Sequence, residues 1–112
     1  MLQKLEKMHQ RYKDLEKLLA DPEIMKDMKR YRELMQEHAH LNEIMEVYNE
    51  YTSTSSQIDD TKLLIEDETD HDMKEMAQDE LHSLETQKET LESQLKQLLI
   101  PVSTEIFYLN FY

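Results

Sequence analysis

A chain of 112 residues with no glycine, no cysteine and a formal net charge of −12 excludes several kinds of chemistry at once. Phosphate-cradling loops, dinucleotide fingerprints and EF-hand turns need glycine at fixed places, and disulfides and thiolate metal sites need cysteine. What remains is a single domain rich in charged residues (34%) and poor in aromatics (7%), the profile of long helices or a coiled coil.

The absence of cysteine fits a reducing cytosol, and a cytoplasmic location is expected. Met1-Leu2-Gln3-Lys4 lacks the apolar core of a signal peptide, and no apolar run reaches membrane-spanning length, so neither leader nor anchor is expected. The charge is uneven. Residues 1–35 hold nine Lys/Arg against seven Asp/Glu, whereas residues 36–112 hold four against eighteen. Most of such a surface repels polyanionic nucleic acid and suits a basic protein partner or plain solvation.

In chain order, Met1, Leu5, Met8, Tyr12, Leu15 and Leu19 step by four and three, a heptad stripe for helix–helix packing. Pro22 disfavours helical geometry at Asp21, which is itself a good N-cap with proline following. A short turn or helix is therefore expected from Pro22, handing over near Asp27. A second long helix starts near Met28, its stripe being Tyr31, Leu34, His38, Leu41, Met45 and Tyr48, widened by Met35, Ile44 and Val47. The stripe thins through Thr52-Ser53-Thr54-Ser55-Ser56 and resumes with Ile58, Leu64 and Ile65. The expectation is one continuous helix to about Glu66, the alternative being a kink or break in the Ser/Thr run, because these side chains compete for backbone hydrogen bonds.

Glu66 to Asp72 predict a reversal, and Asp72-Met73-Lys74-Glu75 has the acceptor and return carboxylate of a capping box. A third helix carries Ala77, Leu81, Leu84, Lys88, Leu91, Leu95 and Leu98, with Lys88 snorkelling from the seam, and Pro101 ends it. The predicted fold is all-α: an elongated three-helix bundle built on a long antiparallel helical hairpin. Residues 102–112 break character, since Ile106 to Tyr112 is uncharged, aromatic and strand-prone. That tail is expected to be disordered, packed on the bundle, or a site of self-association.

Three Glu-x-x-His pairs, Glu6/His9, Glu37/His40 and Glu68/His71, have the spacing of di-metal ligands on bundle helices. They flank the seams or fall in the reversal, and the third helix offers no acidic core position, so no metal, cofactor or catalytic residue is expected. His38 reads as a partly buried packing residue. Lys29-Arg30-Tyr31-Arg32 mixes base and aromatic as RNA-contacting segments do, but Tyr31 lies on the stripe and the run is short. Asp59 to Glu80 holds ten acidic and two basic residues, a solvated helical tip or a docking surface for a basic partner. The methionines at 8, 28, 35, 45, 73 and 76 are expected to fill gaps in the core, the sharper option being a Met-rich binding groove.

Leu18-Leu19-Ala20-Asp21-Pro22-Glu23, Arg30-Tyr31-Arg32-Glu33-Leu34, Met73-Lys74-Glu75-Met76-Ala77-Gln78-Asp79-Glu80-Leu81 and Leu98-Leu99-Ile100-Pro101 come in a distinctive order and spacing. Together they resemble the N-terminal helical domain of the bacterial peptide chain release factor 1 family, over residues 1–101. The 73–81 segment is the most specific of these. The resemblance implies a role in translation termination, in which a class I release factor enters the ribosome at a stop codon and triggers hydrolysis of peptidyl-tRNA. It further implies a projecting arm that reaches the stalk base of the large ribosomal subunit, with codon reading and the Gly-Gly-Gln loop in later domains. The arm itself is then not an enzyme. Residues 102–112 depart from the family pattern, as a truncation, a frameshift or a vector-derived end would make them. The competing class is a coiled-coil scaffold or oligomerisation module unrelated to translation.

Overall fold

The computed structural model describes residues 1–100, and their fold is an all-α hairpin bundle. Helix α1 spans Leu2–Ala20, a 3₁₀ turn spans Pro22–Lys26, α2 spans Met28–Asp67 and α3 spans His71–Leu98. No strand occurs among the described residues, and the expectations for residues 102–112 lie outside them. Two compact units divide the chain, Met1–Glu46 and a second that begins at Val47, with α2 contributing to both.

In the first unit α1 ends where proline geometry requires. Asp21 is extended, and its carboxylate accepts from the Glu23 amide at 3.0 Å, capping the 3₁₀ turn that Pro22 opens. Asp27 repeats the device for α2, accepting from the Arg30 amide at 3.1 Å. The expected hand-over is thus realised by two aspartates, one at each break. Leu5 and Leu15 of α1 and Leu34, Leu41, Ile44 and Met45 of α2 are buried. Contacts pair lower α1 numbers with higher α2 numbers, His9 with Met45 and Tyr12 with His38, so the two helices run antiparallel.

In the second unit α2 continues without a break through Thr52–Ser56. Thr54 is only 2% exposed, which places the Ser/Thr run on the seam that sequence reading saw thinning. Threonine keeps a branched methyl that packs like valine, so the stripe persists through a residue counted as polar. Ile58 on α2 and Ala77, Leu84, Leu91 and Leu95 on α3 are likewise buried. Lys88 does snorkel, and its Nζ lies 5.6 Å from the centre of the Tyr51 ring, a cation–π contact.

Several expectations need correction. The reversal is shorter than Glu66 to Asp72, occupying Glu68, Thr69 and Asp70 alone. The N-cap of α3 is Asp70, whose carboxylate accepts from the Asp72 amide at 2.9 Å, so Asp72 lies in the first turn and there is no capping box at 72–75. An aspartate two residues earlier in an extended conformation won that competition. The methionines do not fill the core as a group. Met45 is buried and Met8 half-buried, but Met28, Met35, Met73 and Met76 are exposed. Leu64, placed on the stripe from sequence, is also exposed. A two-helix seam is narrow, so Met35, Leu64, Met73 and Met76 beside it are left in solvent, whereas Ile44, also read as widening the stripe, is buried.

Candidate docking surface

The reversal concentrates charge. Asp59, Asp60, Glu66, Asp67, Asp70, Asp72, Glu75, Asp79 and Glu80 are exposed, and Glu68 is half-buried. Two of these carboxylates also build the turn: Glu68 accepts from the Asp70 amide at 3.0 Å, and Asp70 caps α3. Negative charge at the start of α3 is favoured by the helix dipole, so Asp70 and Asp72 are stabilised there as anions. Among the described residues, ion pairs join Arg11 to Glu37, Lys26 to Glu23, Arg30 to Glu33 and Lys96 to Glu92, and none involves a carboxylate between 59 and 80. The surface is therefore an anionic one whose charge is not neutralised locally.

A second polar cluster lies in the first unit and holds α1 on α2. Arg11 donates from Nε and Nη2 to the two oxygens of Glu37, at 2.6 and 2.9 Å, a bidentate fork. Those hydrogen bonds hold the Glu37 carboxyl below the usual carboxylate range against the opposing effect of burial. The Tyr12 hydroxyl donates to Asn42 Oδ1 at 2.7 Å, and Asn42 in turn donates to Glu46 at 3.3 Å. Burial, aided by the charges of Glu16 and Glu46, pushes the Tyr12 phenol up. The Tyr12 ring stacks on His38 at 4.6 Å and 16°. His38 is thus the packing residue its position implied. No buried side-chain nitrogen or oxygen among the described residues lacks a partner, so the cluster is a satisfied clamp.

The Glu-x-x-His pairs do not assemble. Glu37 is committed to Arg11, Glu68 to the turn, and His9 places Nδ1 at 3.4 Å from the Met45 sulfur. No group of three or more His, Cys, Asp or Glu side chains among the described residues is arranged to hold a metal ion. Lys29, Arg30 and Arg32 are exposed while Tyr31 is half-buried, so the short basic run does not present its aromatic to a ligand. A concavity lined by His71, Lys74, Glu75 and Gln78 draws all of these residues from α3. No helix among the described residues is long and apolar enough to cross a membrane.

Sequence reasoning missed the clamp. Arg11, Glu37 and Asn42 all flank an apolar stripe, and a flanking polar residue acquires a partner only when the register between helices is known. The one available signal was the clustering of polar residues beside Tyr12 and His38, two seam positions that carry polar atoms.

A family model described as the PCRF domain matches residues 8–105. Peptide chain release factor 1 of Treponema denticola is 46% identical over 101 residues, covering 90% of this chain and 28% of that protein. The same named protein of Bacillus licheniformis is 44% identical and that of Carboxydothermus hydrogenoformans 38%, with the same coverage. The chain thus spans a little over a quarter of the length of the curated relatives it matches. No solved structure matches it. A match over residues 8–105, on a helical hairpin framework whose breaks fall at Asp21-Pro22 and Glu68–Asp70, means that the chain belongs to the PCRF domain family.

Proposed function

We propose that this chain is the helical arm of a translation termination factor, residues 1–101 forming the arm, and that it acts in the cytoplasm by docking on the large ribosomal subunit. The observation that carries the reading is the 46% identity over 101 residues to a protein named peptide chain release factor 1. Codon recognition and peptidyl-tRNA hydrolysis belong, in this reading, to other parts of such a factor, so the chain by itself is not a hydrolase. The partner of the arm is a basic protein at the stalk base. Ribosomal RNA repels the ten carboxylates between Asp59 and Glu80, and only a local positive protein surface offsets that repulsion.

The test is binding of the purified chain to large subunits with and without their stalk-base proteins. Weak binding that disappears with those proteins supports the reading. Equal binding to both preparations removes the stalk base as the partner, and absence of binding to either removes docking altogether.

A further inference from the structure

Three exposed apolar side chains near the reversal lie outside every packing role described above: Leu64 at 55%, Met73 at 52% and Met76 at 67%. The seam of the hairpin here runs through Ile58, Thr61 and Ile65 of α2 and through Lys74, Ala77 and Leu81 of α3, the less exposed positions of the two helices. Leu64 precedes Ile65 by one residue, and Met73 and Met76 precede Lys74 and Ala77 by one. One residue turns a helix by about 100°. Because the two helices are antiparallel, the same backward step from either seam leads to the same side of the hairpin.

Three side chains separated in sequence therefore share one side. Counting in the same way puts Asp60 and Glu80 beside them, each one helical turn further from the reversal than Leu64 and Met76. The two lysines of the region are elsewhere: Lys74 lies in the seam, and Lys62, one residue after Thr61, faces the opposite side. The result is an apolar row edged by carboxylates and lacking a cation.

We infer that this side of the hairpin tip, Leu64, Met73 and Met76 edged by Asp60 and Glu80, is a docking surface for a basic amphipathic helical segment of a partner protein. Its apolar side chains seat on the row while its Lys or Arg side chains reach the carboxylates. Methionine suits this task because its unbranched thioether adapts to the partner's shape, and exposed apolar patches rimmed by polar groups mark interaction surfaces. Charge selects among occupants. Nucleic acid and anionic lipid bring further negative charge, and a second copy of the chain would set one acidic rim against another.

The inference deepens the docking reading and rests on it in taking a basic protein as partner, and its test needs no ribosome. The probe is a synthetic helix of about 18 residues, five turns, with leucine along one face and lysine along the other. Binding to the full chain is measured by titration calorimetry at low salt, beside a peptide of identical composition scrambled to remove the apolar face. The amphipathic peptide is expected to bind, and the scrambled one at least about tenfold more weakly, since apolar burial is lost. The L64S/M73S/M76S variant should lose a similar factor, whereas L63S, on the outward face of α2 and equally exposed, should change affinity less than about twofold. Circular dichroism checks that the variants stay folded. Equal binding of the two peptides, or undiminished binding by the triple variant, overturns the inference. Either result leaves the subunit-binding assay to decide the docking reading by itself.

Discussion

At the scale of single residues, the Arg11–Glu37 fork is the charge interaction with most to lose. Arg11 remains cationic at any pH of interest, so titration falls on Glu37, whose folded pKa lies below its unfolded value of about 4.3. The pair's contribution is therefore complete above the unfolded pKa and is lost as pH falls through the folded one. Both partners are partly exposed, and solvent screening keeps the contribution to about 0.5–1 kcal/mol despite the bidentate geometry. Glu37→Gln should lower the melting temperature by about 2–6 °C at neutral pH. The difference between variant and parent should close in acid; a difference unchanged down to pH 2 would mean that the fork does not act through the carboxylate charge. Tyr12→Phe, which leaves the Asn42 carbonyl without its donor, should cost about 1 kcal/mol as measured by urea denaturation. It should also remove from the absorbance titration a phenol whose ionisation burial pushes to higher pH.

At the scale of elements, the chain's punctuation was the most legible part of the sequence. Asp21-Pro22 and Asp27 work by local chemistry, and a local rule reads them without knowledge of the fold. The reversal before α3 was legible as an event but not in its detail, because two aspartates two residues apart can each serve as the cap. Asp70→Ala should destabilise the hairpin by about 1 kcal/mol, whereas Asp72→Ala should cost markedly less; reversed values in thermal melts would restore Asp72 as the cap. The core was legible at most of the recurring leucines and isoleucines, misread at Leu64, which is exposed, and illegible at Thr54, where a polar residue occupies a seam position. Burial of Thr54 also changes the expectation for the Ser/Thr run. Amide exchange through residues 52–56 should be no faster than in the flanking turns, since a packed side chain anchors the segment. Ser53→Ala and Ser56→Ala, both at exposed sites, should each raise stability by a few tenths of a kcal/mol on helix propensity alone. What the sequence could not disclose was anything that depends on interhelical register: the partners of Arg11 and Asn42, and the side shared by Leu64, Met73 and Met76.

At the scale of the whole molecule, charge sets the terms of association. A chain at −12 with no ion pair along its tip should bind a basic partner through exposed charges. Such charges are screened over about 8–10 Å near physiological ionic strength. Affinity for large subunits should accordingly drop steeply between low and physiological salt, and sedimentation binding assays at the two concentrations would detect it. Salt-independent binding would point to an apolar contact as the dominant one. Without a glycine-bearing hydrolytic loop, the chain alone should release no peptide from ribosomes programmed with a stop codon. Turnover above a buffer control would overturn the non-enzymatic reading.

No described residue has positive φ, and the reversal at Glu68, Thr69 and Asp70 is accomplished entirely within ordinary backbone space. Turns that use the left-handed region are tied to glycine or asparagine, and their sequence is held hostage by their shape. This one is not. Thr69 can be exchanged for almost any L-residue without conformational penalty, while only the Glu68 and Asp70 side chains have bonding duties. The apex of the hairpin is thus a place where a lineage, or a designer, can rewrite what is presented to a partner while leaving the two helices beneath it unchanged.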